Sequence, residues 1–90
     1  MIKVTANFFS YIKFETGLDS LEVSVEDEAT ISDLIDTLES KYGEKLMRFI
    51  KNRDKNKYIS IFIIDNKRCE PSQALSSGDV VMVMPTVAGG

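Results

Sequence analysis

The stretch SSGDVVMVMPTVAGG, residues 76–90, decides how the rest of the chain is read. Ser77-Gly78-Asp79 is a turn signal: glycine takes a positive φ without a steric penalty, and aspartate can bond its own backbone. Val80–Met84 is an apolar, β-branched-rich run with the length of a strand. Proline has no N–H to give to a ladder, so Pro85 is a natural end to it. Residues 85–90, PTVAGG, are then expected to form an extended, mobile tail.

A last strand needs partners, and the upstream sequence offers them. Residues 58–65, YISIFIID, are dense in β-branched and aromatic side chains, as a central strand should be. Asp65-Asn66-Lys67 reads as a turn into a short strand near 68–70, which Pro71 ends. Gln73-Ala74-Leu75 is expected to make a single turn. Residues 51–57, KNRDKNK, read as a charged loop, and 44–50 as a short helical piece burying Leu46, Met47 and Ile50.

Further upstream, Thr30 is a good N-cap with Asp33 three residues on, where the helix's positive end favours a carboxylate. Ile31, Leu34, Ile35, Leu38 and Tyr42 share one helical stripe, and Gly43 is a natural stop. Before that helix, 2–9 (IKVTANFF) and 20–26 (SLEVSVE) alternate as half-buried strands, joined through a polar stretch that reads as a turn ending at Gly17. The order is β-β-α-β-β-β. It predicts an α+β fold of the β-grasp type, a mixed sheet of about five strands on one main helix. The first and last strands should lie parallel at the sheet centre. The domain takes residues 1–84 and the tail 85–90.

Composition bounds the chemistry. Ninety residues, 43% apolar and 28% charged, suit one small globular domain. No apolar run is long enough to cross a bilayer, and the N-terminal stretch lacks a signal-peptide layout, so a cytoplasmic protein without a membrane role is expected. A formal charge of −3 argues against general nucleic-acid binding. The absence of histidine removes the usual general base and the commonest metal ligand, and a lone Cys69 forms neither an internal disulfide nor a thiolate cluster. No acid–base catalytic residue, metal ligand or intrinsic cofactor is expected.

The tail offers chemistry without any of these. A carboxylate is a poor electrophile until activated, and adenylation requires it to enter a confined nucleotide site. Gly89 and Gly90 have no Cβ to clash there and tolerate unusual backbone angles. Six residues, Pro85–Gly90, can reach about 20 Å into a partner at ~3.3 Å each. A sulfur donor attacking an acyl-adenylate at Gly90 would leave a thiocarboxylate. The ATP would belong to the partner, because this chain has no Gly-rich phosphate cradle. Against this stands the reading of the two glycines as an incidental frayed end.

With its element order and with SSGDVVMVMPTVAGG, the chain resembles the MoaD/ThiS family of ubiquitin-like sulfur carriers, and within it the small subunits of molybdopterin synthases. The shared features are Phe8-Phe9 closing the first strand, the Thr30-capped helix, Asn66 in a turn, Gly78-Asp79, and Pro85-Thr86-Val87-Ala88-Gly89-Gly90. Thr86 departs from the family's usual second proline, and 43–57 is longer and more charged than in compact members. The resemblance implies activation by an E1-like adenylyltransferase and sulfur delivery to a large synthase subunit. The two subunits would form a heterotetramer, and the large one would supply the catalytic lysine. It also implies an apolar docking patch beside the tail, at Phe9, Cys69 and Met84 with Phe62 bordering. Alternation adds Met82: if Val81 and Val83 face the helix, Met82 and Met84 face outward, and if Ile59, Ile61 and Ile63 face it, Phe62 does too. A covering helix or loop over these residues is the plainer alternative. Cys69 is a reactive thiol or a small hydrophobe, and Lys51, Arg53, Lys55 and Lys57 are a partner site or a solvated loop. Carriers for thiamine or tRNA thiolation, a ubiquitin-like modifier of lysines, and a β-grasp binding module are the remaining readings.

Overall fold

The computed structural model describes residues 1–52 and 57–86. Five strands form the main sheet: β1 (Ile2–Phe8), β2 (Ser20–Val25), β5 (Ser60–Ile64), β6 (Lys67–Cys69) and β7 (Val80–Pro85), in the order β2-β1-β7-β5-β6. β1 and β7 run parallel at the centre and all other pairs are antiparallel, as the β-grasp reading requires. A separate two-stranded hairpin joins β3 (Lys51–Asn52) to β4 (Lys57–Tyr58). The ends of the charged loop are thus paired, while its residues 53–56 lie outside the described residues.

The main helix, α2 (Ile31–Tyr42), begins where its sequence says it should. Thr30 Oγ1 accepts from the Asp33 N–H at 3.2 Å, and Asp33 Oδ2 accepts from the Thr30 N–H at 2.9 Å, a reciprocal capping box. The first two N–H groups, which a helix leaves without internal partners, are met from across the chain: Ile31 donates to Gln73 O and Ser32 to Pro71 O. Residues 73–75, expected as a turn, therefore lie extended along the start of α2, with Thr30 and Ala74 bridged and the Leu75 N–H on Ala29 O. Gly43 ends α2, and α3 (Glu44–Met47) follows.

The segment before Gly17 is also not a turn. It is a helix, α1 (Ser10–Thr16), which Gly17 ends in the left-handed conformation at φ 74°. α1 buries Ile12 against the core. The core itself lies between one face of the sheet and the helices: Val4, Ala6, Phe8, Val23, Val25, Phe62, Val81 and Val83 meet Ile12, Ile31, Leu34, Ile35, Leu38, Leu46 and Met47.

β7 also takes in one residue assigned to the tail, since Pro85 pairs with Ser60. No helix of the described residues is long and apolar enough to cross a membrane.

Candidate functional site

The parity of β7 positions the site. Val81 and Val83 point into the core, so Val80, Met82 and Met84 project from the opposite, open face of the sheet. Register then selects their neighbours, because paired residues share a face. Ile61 pairs with Met84 and Ile63 with Met82 across β5, and Asn7 lies beside Met82 on β1. Phe9 continues the alternation of β1 past Phe8, its backbone still extended at φ −128°, ψ 161°, and so falls next to Met84 on the same face. Phe9, Ile61, Ile63, Met82 and Met84 are half-buried, and none belongs to the core cluster. They form an apolar strip at the end of the sheet where β7 finishes.

The strip has a polar border. Lys3, Thr5, Glu22 and Arg68 occupy the same face, with Lys3 and Glu22 paired across the strands at 3.8 Å. Asn7 Oδ1, in the middle of this face, is buried without a hydrogen-bond partner among the described residues.

The structure thus brings together three of the five predicted patch residues, Phe9, Met82 and Met84, and separates two. Phe62 is not on the open face but 2% exposed in the core, opposite Val83 and edge-on to Tyr58 at 5.5 Å. The sequence YISIFIID alternates in two possible phases, and the expected one put the isoleucines inward. The observed phase puts Ser60, Phe62 and Ile64 inward, because the Ser60 hydroxyl is satisfied within the fold by Phe49 O at 2.7 Å and the large ring gains more by burial. Cys69 faces Phe62 across the β5–β6 pair, so it also lies on the core side. It packs against the core with its thiol toward Lys67 O at 3.4 Å, and it lines an edge groove with Tyr58, Arg68 and Glu70. Ile61, Ile63 and Val80 were missed, and the signal for them was the strand parity of Met82 once register is known.

Of the tail, Pro85 closes β7, and Thr86 donates its hydroxyl to Ile59 O at 2.8 Å. Val87, Ala88, Gly89 and Gly90 lie outside the described residues. Among the described residues no cluster of three His, Cys, Asp or Glu could hold a metal ion. The arrangement can present an apolar face to another protein.

Residues 7–90 match the model of the ThiS family. The chain belongs to that family. Its members are small ubiquitin-like carriers or modifiers, generally not catalysts in their own right. Among curated relatives, Small archaeal modifier protein 3 of Haloferax volcanii is 27% identical over 92 residues, covering 99% of this chain and all of that one. Two solved structures share the fold. SAMP1 from Haloferax volcanii superimposes with a TM-score of 0.83 at 21% identity, covering 98% of this chain and 99% of the other. A chain of the complex of subunits 1 and 2 of molybdopterin-converting factor from Helicobacter pylori 26695 gives 0.64 at 19% identity, covering 99% and 100%.

Proposed function

We propose that this chain is a sulfur carrier for molybdopterin synthesis. The Gly90 carboxylate attacks the α-phosphorus of ATP in an E1-like adenylyltransferase, releasing pyrophosphate and forming an acyl-adenylate. Hydrosulfide, the sulfide-level donor, then attacks the Gly90 carbonyl, AMP leaves, and a thiocarboxylate remains. That nucleophilic sulfur attacks the substrate held by a large synthase subunit, where the dithiolene is built, and water cleaves the acyl–sulfur bond, leaving the sulfur on the substrate and returning Gly90 as a carboxylate. Val87, Ala88, Gly89 and Gly90 thread into each partner while the apolar strip docks outside. No side chain of this protein acts as acid or base, in keeping with a sequence without histidine.

The observation that carries this reading is positional. A family-matched chain ends Val87-Ala88-Gly89-Gly90 directly beyond the central strand whose outward residues, Met82 and Met84, form an apolar face. Half-buried methionine and phenylalanine gathered on the open face of a small domain suit an interaction surface. The Helicobacter pylori structure, in which a chain of the same fold is part of a two-subunit complex, supports a docked mode of action.

The second reading is a protein modifier that joins Gly90 to lysines, favoured by the Haloferax relative named as a modifier. Both begin with the same adenylate, and intact mass separates them. The chain is co-expressed with an E1-like adenylyltransferase and a sulfur donor, then weighed. Exchange of one oxygen for sulfur at Gly90 supports the carrier. Lysine-linked adducts support the modifier. No change in the wild type, with a Gly90 deletion behaving alike, overturns both.

A further inference from the structure

Thr86, the first residue past β7, is tied twice to one acceptor. One position beyond the Pro85–Ser60 pair, Thr86 donates its hydroxyl at 2.8 Å and its N–H at 3.4 Å to the Ile59 carbonyl. The acceptor is itself fixed. The Ile59 N–H donates to Ile50 O at 2.7 Å, Ile50 is fully buried, and the neighbouring Ser60 hydroxyl holds Phe49 O at 2.7 Å. Thr86 is exposed, so core packing does not call for a threonine there. The hydroxyl is the part of the side chain with a partner.

We propose that Thr86 is a positioning residue, whose paired hydrogen bonds to Ile59 fix the point from which Val87–Gly90 reach into the activating enzyme. The inference rests on the carrier reading. With Thr86 fixed, the four residues beyond it span about 13 Å at ~3.3 Å each, where six free residues would span about 20 Å. The latch therefore sets how closely the apolar strip must seat before Gly90 meets ATP. It also orders the root of the tail before docking, so less conformational freedom is lost on threading. Threading follows docking of the folded body, so this freedom is lost within the docked complex, and the gain falls on kcat.

Three variants test this with chain-dependent ATP–pyrophosphate exchange by an E1-like adenylyltransferase. Thr86→Val keeps the branched shape and the N–H but loses the hydroxyl. It is expected to lower kcat about two- to tenfold, the range of one net hydrogen bond, with KM unmoved. Thr86→Ser restores the hydroxyl and is expected to recover kcat. Thr86→Pro removes both donors but its ring fixes φ at the same root, and it is expected to recover part of the kcat lost with valine. In all three the exposed site leaves folding intact, which circular dichroism checks. A valine variant that matches wild type, or a loss that serine fails to recover, overturns the positioning role while the carrier reading stands. A wild type that supports no exchange at all overturns the carrier reading and this inference with it.

Discussion

Ser60 is buried at 5% exposure, with its hydroxyl on the Phe49 carbonyl. Deleting the hydroxyl leaves that carbonyl without a partner inside the protein, which costs more than the bond's net worth. Ser60→Ala is expected to lower stability by about 1–2 kcal/mol, read as a lower urea midpoint at unchanged m. A midpoint equal to wild type would mean that Phe49 O finds water instead. A different residue-scale demand falls on the β5–β6 turn, where Asp65 and Asn66 both take positive φ, 51° and 66°. Two such residues make the primed turn that matches strand twist, and asparagine tolerates it better than most. Asn66→Val places a branched Cβ in that region and is expected to cost about 1–2 kcal/mol, whereas Asn66→Gly holds or raises the melting temperature. That turn was legible because asparagine's tolerance is a local property. The burial of Ser60 was not, because its acceptor is eleven residues away.

At the scale of elements, a lysine and a tyrosine tie the β3–β4 hairpin to α2. Lys51 Nζ lies 3.1 Å from Glu39 and 3.3 Å from Asp36, and above the Tyr58 ring at 5.7 Å. Tyr58 in turn meets the Ser32 hydroxyl at 2.9 Å. Burial alone lowers the lysine's pKa, but hydrogen bonds to Glu39 and Asp36, with the charge of Glu39 and the nearby Tyr58, outweigh it, and the net direction is above the ordinary 10.5. A group whose pKa is raised by folding stabilises the fold fully below its unfolded value, and that contribution is lost as pH climbs through the folded one. Lys51→Met is therefore expected to be less stable than wild type at neutral pH, with the gap closing only above about pH 10.5. A gap that closed on acidification alone, with none of it lost at alkaline pH, would exclude the lysine as its source. The same scale explains which elements could be read. α2 announces itself through Thr30, Asp33, the apolar stripe and Gly43, all local signals, although of that stripe Ile31, Leu34, Ile35 and Leu38 are buried and Tyr42 is exposed. α1 has one buried residue, Ile12, and no side-chain cap at Phe9, so no periodicity marks it and only packing makes it a helix. Residues 73–75 failed as a turn for a similar reason, since their backbone partners are Ala29 and Ile31.

For the whole molecule, the question is which side of the sheet each strand shows, and here the sequence was read correctly for β7 and wrongly for β5. In Val80–Met84 the phase that puts Val81 and Val83 inward sets both flexible methionines outward, with Val80 beside them. YISIFIID has apolar residues in both phases, so hydrophobicity cannot choose, and a shift of one residue exchanges the faces. Pairing with β7 makes the choice, since Phe62 must follow Val83 inward and Ile61 must follow Met84 outward. Two substitutions on neighbouring strands then have opposite consequences. Phe62→Ala removes a ring from the core and is expected to cost about 3–5 kcal/mol, a large share of what so small a domain has. Met84→Lys keeps an aliphatic stem on the sheet and lets the ammonium reach water. It is expected to cost under about 1 kcal/mol, while placing a charge in the strip that a partner must desolvate. Binding to an E1-like adenylyltransferase, measured by titration calorimetry, should weaken at least about tenfold. Unfolding by urea and binding by calorimetry on the same two proteins decide the matter. If Met84→Lys unfolds the chain while binding in the survivors is normal, the open face is structural, and the surface offered to partners must lie elsewhere.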